Sequence, residues 1–192
     1  MKPVNIAIFA SGAGSNARAL LSHFSNDPAV RVAVVISNKA GAGVHEVAQE
    51  FDVPSVVLGD IGAYESNLIE EMLSSHQVDF IVLAGFLLKV PDSLVQLYAN
   101  RIINIHPALL PKFGGKGMYG NRVHAAVKAQ GETETGITIH YVNEHYDEGA
   151  VIFQASCPVA PEDSEDDIRK KVQELEHLHF PAIVSKVVKG EL

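Results

Sequence analysis

The sequence predicts an α/β fold in which a doubly wound, mostly parallel sheet is flanked by helices. Several strand-length runs are apolar throughout rather than alternating, as strands buried on both faces are. These runs alternate with amphipathic stretches of helical length, the rhythm of βαβ units. A Gly-rich turn, Ser11-Gly12-Ala13-Gly14-Ser15-Asn16, joins the first strand to the first helix. Ligands of such folds bind beyond the carboxyl ends of the strands, so the motifs that matter are expected there.

Val4–Ala10 reads as the first buried strand, and the helix after the Gly-rich turn runs from about Asn16 to Phe24. Val32–Ser37 is the second strand and Val44–Phe51 the second helix. Val56–Leu58 is a short third strand, followed by a helix over Tyr64–Ser75 with Leu68, Ile69, Met72 and Leu73 on one face. Phe80–Ala84 and Ile102–Ile105 are further strands, separated by a helical piece near Pro91–Tyr98. Residues 107 to 121, rich in Gly, Pro and Lys, read as a long loop, a feature that in small domains is usually functional or mobile. Thr138–Val142 and Ala150–Ala155 form a strand pair around an acidic turn. From Ser164 a long amphipathic helix begins, with Glu165, Asp166 and Asp167 in its first turn. Pro181 is expected to kink or divide it. No repeat, linker or low-complexity tract interrupts the 192 residues, so one domain is expected.

Composition narrows the function classes. The net charge is −8 and the basic residues are scattered, which argues against a nucleic-acid partner, since that calls for a basic stripe. Apolar runs such as Phe80 to Leu88 are too short to span a membrane. Cys157 is the only cysteine, which excludes an internal disulfide and agrees with a reducing, cytoplasmic setting. The chain goes directly into its first strand, with no apolar signal region. Nine histidines are present, but none reproduces a zinc spacing, so no metal is expected.

Three motifs can carry chemistry. In the Gly-rich turn, backbone N–H groups and the helix dipole favour an anion such as a phosphate. The turn also fits a dinucleotide fingerprint with Ala17 in place of the last glycine, but Ser37-Asn38-Lys39 lacks the acid that a ribose would need. A plain tight turn capped by Ser15 or Asn16 is the alternative. Second, in Asn104-Ile105-His106-Pro107 the period of a strand puts Asn104 and His106 on one side at a carboxyl end. An amide and an imidazole there suit oxyanion stabilisation, although a strand-end histidine can equally be an ordinary hydrogen-bonded residue. Third, Asp147 lies in the turn between the two last strands. It could hold an imidazole protonated, or simply be a solvated acid.

Taken together, these segments resemble the glycinamide ribonucleotide formyltransferases, folate-dependent enzymes of purine synthesis, over essentially the whole chain. The matching segments are Ser11 to Asn16, Ser37-Asn38-Lys39, Val82 to Phe86 and Asn104 to Pro111, followed by Gly136 to His140, Asp147-Glu148-Gly149 and Asp163 to Asp167. Asn104-Ile105-His106-Pro107-x-Leu109-Leu110-Pro111 marks folate formyltransferases as a group, and Glu176-His177-x-x-Phe180-Pro181 narrows the likeness to the glycinamide branch. The resemblance implies a Rossmann-like formyltransferase fold, with a phosphate-binding βαβ half over about 1–100 and a catalytic and folate-binding half over about 101–192. Gly14, Ser15 and Asn16 would hold the substrate phosphate, and Asn104, protonated His106 and Asp147 would be catalytic. Leu87, Leu88, Lys89 and Val90, with Asn104, would line the folate pocket, and Pro111 and Glu176 would meet the ribonucleotide. The implied co-substrate is 10-formyltetrahydrofolate, the implied partners are small molecules alone, and the assembly is a monomer or homodimer.

Leu88 and Ile61 stand where the family often has Arg, and the lysines of the 112–120 loop, Lys112 and Lys116, could compensate toward the folate tail. A 10-formyltetrahydrofolate hydrolase would share the trio, but that family carries an N-terminal regulatory domain, whereas this chain starts at its first strand. Transfer to an aminoacyl-tRNA would need a nucleic-acid-binding domain. A nicotinamide oxidoreductase or a non-catalytic nucleotide-binding module is the reading from another class; Ser37-Asn38-Lys39 argues against the first and the complete trio against the second.

Overall fold

Alternation of side chains along the first strand shows how this sequence builds a two-sided core. In the computed structural model, which describes residues 2–59 and 67–192, strand β1 (Val4–Phe9) sends Ile6 and Ile8 to one face and Ala7 and Phe9 to the other, all four fully buried. The first face is covered by α1 (Ser15–Phe24), α2 (Val44–Glu50), α5 (Asn121–Ala129) and α6 (Glu165–Val188), through residues such as Leu20, Val47, Val127 and Val184. The second is covered by α3 (Leu68–Ser75) and α4 (Asp92–Leu97), through Ile69, Leu73, Leu94 and Val95.

The remaining strands are β2 (Val30–Ser37), β3 (Ser55–Val57), β4 (Phe80–Leu83), β5 (Ile102–His106), β6 (Glu134–Tyr141) and β7 (Val151–Pro158). They form one seven-stranded sheet in the order β3-β2-β1-β4-β5-β6-β7. Pairing is parallel from β3 to β5 and antiparallel for β5–β6 and β6–β7, so the sheet is mostly parallel and doubly wound, as the sequence predicts. The chain turns from building outward through β2 and β3 to building the opposite way through β4 and β5. The ends of β1 and β4 therefore flank a topological switch point, where a crevice opens.

Several local expectations change. The helix expected over Tyr64–Ser75 is seen from Leu68; residues 60–66, and with them Ile61, lie outside the described residues. Helix α5 emerges directly from the Gly-rich loop and carries a mixed pattern without a start signal, which is why sequence reading passes over it. The last pair of strands is longer than expected at Thr138–Val142 and Ala150–Ala155. Pro181 does not divide the last helix: α6 runs unbroken from Glu165 to Val188, because Phe180, Ile183, Val184 and Val187 on either side of it are locked into the core. Its start is a full capping box, with Ser164 Oγ accepting from Asp167 N and the Asp167 carboxylate accepting from Ser164 N.

No helix among the described residues is long and apolar enough to cross a membrane. Nor, among them, do three or more His, Cys, Asp or Glu side chains gather as a metal site.

Candidate functional site

A cleft of about 380 Å³ opens at the switch point. Behind its wall lies Ser11, buried just past the end of β1. Its backbone N–H donates to Gly85 O at 3.0 Å, and its hydroxyl donates to Asn38 Oδ1 at 2.6 Å and accepts from Leu87 N at 2.9 Å. One serine thus ties together the carboxyl ends of β1, β2 and β4. Asn38, where a dinucleotide fold would place a ribose-binding acid, is occupied in this structural bond.

Gly14 is the N-cap of α1 in the left-handed region, φ 84° and ψ 25°, and a Cβ there would lie 2.9 Å from Val44 Cα. The alternative, a side-chain cap by Ser15 or Asn16, is absent, because the glycine makes the turn by backbone alone. That leaves the first helical N–H groups without a side-chain cap, and frees both side chains. Ser15 Oγ accepts from Gln173 Nε2 at 3.1 Å, and Asn16 Nδ2 donates to Glu176 Oε2 at 2.9 Å. Gly12, Asn16, Gln173 and Glu176 line the cleft, whereas Gly14 is buried beneath it. Burial raises the Glu176 pKa, and the Asn16 bond partly offsets that rise. Asn16 Oδ1 is buried without a donor.

The middle of the cleft is set by β5 and β6. Register pairs Asn104 with His140 across the strands, and Asn104 Nδ2 sits 3.1 Å from His140 Nε2. The other ring nitrogen, Nδ1, is 2.8 Å from Tyr141 O and can only donate to it, so in the neutral ring Nε2 is the acceptor for the Asn104 amide. His140 is thus a positioning residue that sequence reading misses; its only signal is its place one strand across from Asn104. His106, 4% exposed, has Nε2 2.7 Å from Phe113 O and Nδ1 3.6 Å from Asp147 Oδ2. Asp147 also approaches His140 Nε2, at 3.7 Å, and accepts from Gly115 N at 2.9 Å.

Electrostatics refines the expectation of a resident imidazolium. Both His106 nitrogens face oxygen acceptors, an arrangement that favours the doubly protonated ring. Burial is nevertheless the larger effect and holds the His106 pKa below its ordinary value, with Asp147 and the Phe113 carbonyl pulling it back up only in part. The balance at this position therefore favours neutral His106. Burial alone would raise the Asp147 pKa, but the His140 and His106 imidazoles and the Gly115 N–H outweigh it, and the carboxylate is held below its usual range.

Leu87, Leu88, Lys89 and Val90 all line the apolar end of the cleft, with Leu83, Ile105 and Val142. Lys89 pairs with Asp92 at 2.7 Å. Pro111, expected to meet substrate, is exposed and is not among the residues lining the cleft; Pro107, next to His106, is. After Pro107 the chain is drawn toward β6, where Leu110 N is held by Thr138 Oγ1 at 3.0 Å. Of the loop lysines, Lys112 pairs with Glu132 at 2.8 Å, and neither Lys112 nor Lys116 is among the residues lining the cleft.

His124 on α5 also lines the cleft, and burial, with the charges of Arg169 and His106 adding to it, lowers its pKa to about 4. As pH falls from 6.5 toward about 4, the unfolded chain takes up a proton at this residue that the folded one refuses, so stability declines across that window. Chemical denaturation of His124→Gln is expected to show a shallower decline than the unmodified protein, by an amount on the order of 3 kcal/mol at most. Parallel curves would mean that His124 titrates normally in the fold.

Residues 4–184 match the family model described as formyl transferase. A chloroplastic phosphoribosylglycinamide formyltransferase from Arabidopsis thaliana is 39% identical over 190 residues, covering 95% of this chain. The chain spans 64% of that plant relative's length. A phosphoribosylglycinamide formyltransferase from Haemophilus influenzae is 35% identical, the match covering 97% of this chain and 88% of the relative. Among solved structures, glycinamide ribonucleotide transformylase 1 from Symbiobacterium toebii superposes with a TM-score of 0.89 at 32% identity, covering 98% of this chain and 89% of that one.

Proposed function

The chain belongs to the formyl transferase family, and we propose that it moves a formyl group from 10-formyltetrahydrofolate to the primary amine of glycinamide ribonucleotide, a step of purine biosynthesis. The observation that carries this reading is the position of Asn104, His106 and Asp147, between an apolar strand-end pocket and a helix N-terminus suited to phosphate. Apolar Leu83, Leu87, Leu88 and Val90 suit the flat ring system of a folate. The turn at Gly14 to Asn16 suits the phosphate ester, and the unpaired Asn16 Oδ1 and the Glu176 carboxyl suit the donors of a ribose.

The trio's chemistry follows from where charge develops. When the neutral amine attacks the formyl carbon, the formyl oxygen gains negative charge. One Asn104 N–H is spent on His140, and the other is left to donate to that oxygen. His106 supplies a second donor, at Nε2, once a ligand oxygen competes with Phe113 O. Asp147 stabilises positive charge on His106 as it forms and, with water, relays the proton from the attacking nitrogen to the departing folate nitrogen. Holding both reactants in one cleft supplies the rest. Leu88 contributes surface but no charge, so binding of the folate tail does not draw on this position. The assembly is read as a monomer or homodimer, and the single Cys157 accords with a cytoplasmic setting.

Formyl transfer followed by folate absorbance tests the reading. Turnover is expected only when glycinamide ribonucleotide is present. Folate turnover in its absence would instead identify a 10-formyltetrahydrofolate hydrolase, with water taking the amine's place, and no turnover under either condition would leave a nucleotide-binding module.

A further inference from the structure

Two polar side chains on the cleft wall have no task in the chemistry above. His124 is 4% exposed, and its Nδ1 has no hydrogen-bond partner. Buried polar atoms are normally paired, and one left unpaired on a ligand cleft calls for a partner that arrives with the ligand. Arg169 lies on α6 one turn before Gln173 and two before Glu176, so the spacing i, i+4, i+7 puts all three on one face. That face is tied to the phosphate turn by the bond from Gln173 Nε2 to Ser15 Oγ, and one helical turn is only about 6 Å of axial rise, within reach of an arginine side chain. Among the described residues Arg169 is otherwise paired with Asp166, also on α6, in an exposed i,i+3 contact. Such pairs contribute little and are given up easily to a stronger anion.

We propose that His124 and Arg169 form the outer wall of the phosphate subsite, where Arg169 pairs with the phosphate ester of the bound substrate and His124 donates a hydrogen bond to one of its oxygens. The proposal rests on the reading that the amine substrate is phosphorylated. A phosphate monoester presents three terminal oxygens, more than the turn at Gly14 to Asn16 needs to account for alone. His124 on α5 and Arg169 on α6 line the same cleft as Asn16. Near neutral pH His124 is uncharged, so it brings a donor rather than a second charge beside Arg169. Guanidinium is the side chain best matched to phosphate oxygens, because its fork donates two parallel bonds.

Arg169→Ala and His124→Gln would be compared with the unmodified protein in formyl transfer, using glycinamide ribonucleotide and its dephosphorylated riboside, and in calorimetric titration with ribose 5-phosphate. Arg169→Ala is expected to raise KM for the ribonucleotide roughly tenfold or more, with a much smaller change in kcat and in the folate KM. His124→Gln should do the same to a lesser degree. The KM penalty should vanish on the riboside, and ribose 5-phosphate affinity should fall in parallel. An unchanged ribonucleotide KM in Arg169→Ala would overturn the subsite. Equal losses on ribonucleotide and riboside would overturn it too, because they would mark a structural role. Should His124→Gln fold poorly, the exposed Arg169 still decides. If the unmodified protein transfers no formyl group, the functional reading fails, while the ribose 5-phosphate titration of Arg169→Ala still decides for or against the subsite.

Discussion

Asp147→Asn is expected to lower kcat/KM by about 10²–10⁴-fold, the usual weight of a positioned acid–base group, while the protein stays folded. Asp147 adopts φ 58°, the left-handed region, which Asn also tolerates, so the turn between β6 and β7 keeps its path. The amide oxygen can still accept from Gly115 N. What disappears is the negative charge 3.6 Å from His106 Nδ1. That charge pulls the His106 pKa up against burial, so without it the pKa falls further and the imidazolium becomes harder to form. The limb of the pH–rate profile that reports protonated His106 should therefore move to lower pH in the variant. A far-ultraviolet spectrum confirms folding, and kcat/KM measured across pH checks the rest. Activity within about fivefold of the unmodified protein, against the expectation for such groups, would remove Asp147 from the mechanism.

Gly149→Ala should be the most damaging small substitution in this region for stability. A Cβ at Gly149 would lie 1.7 Å from Tyr141 O and 2.7 Å from Tyr141 C. Both are backbone atoms at the end of β6, where Tyr141 N bonds Ala150 O at 2.9 Å, so no side-chain rotation relieves the contact. The turn must shift, at a cost of roughly 3 kcal/mol or more, beyond the usual range for overpacking. For a chain of this length that corresponds to a fall in Tm of roughly 6–12 °C. Because Asp147 sits in the same turn, catalysis should fall with it. Gly41→Ala serves as the control: nothing lies within 4 Å of its added Cβ, and its effect should stay within about 0.5 kcal/mol. Thermal melts of the two variants side by side check the contrast. Similar Tm values would show that the turn yields more easily than its contacts imply.

Some of the site is legible in sequence because its logic is local. Strand period alone puts Asn104 and His106 on one side of β5, and β5 leads into the cleft because it ends there. The Gly14 turn is local as well, since its glycine, strand and helix are contiguous. The roles of Ser15 and Asn16 were less visible: both are plausible caps in sequence, but the left-handed Gly14 removes that task and hands Asn16 to Glu176, 160 positions away. Pro111 shows the limit of reading along a motif. It follows the Asn-Ile-His-Pro segment closely, yet the bond from Leu110 N to Thr138 turns the chain away, and Pro107 takes the place on the wall.

By itself the sequence determined the class of fold, the order of its strands, the Gly-rich turn at the start of the first helix and the two strand-end polar residues. Each of these follows from spacing within a short stretch, where periodicity and backbone preference act. Tertiary structure alone decided that Asp147 reaches His106, that His140 opposes Asn104 and sets its amide, and that His124 and Arg169 share a wall with Gln173 and Glu176. It also decided that Pro181 would sit inside an unbroken helix and that burial would outweigh a neighbouring carboxylate at His106. Those outcomes depend on strand register, on which faces are packed together and on how much water is excluded, and these quantities exist only once distant segments of the chain have met.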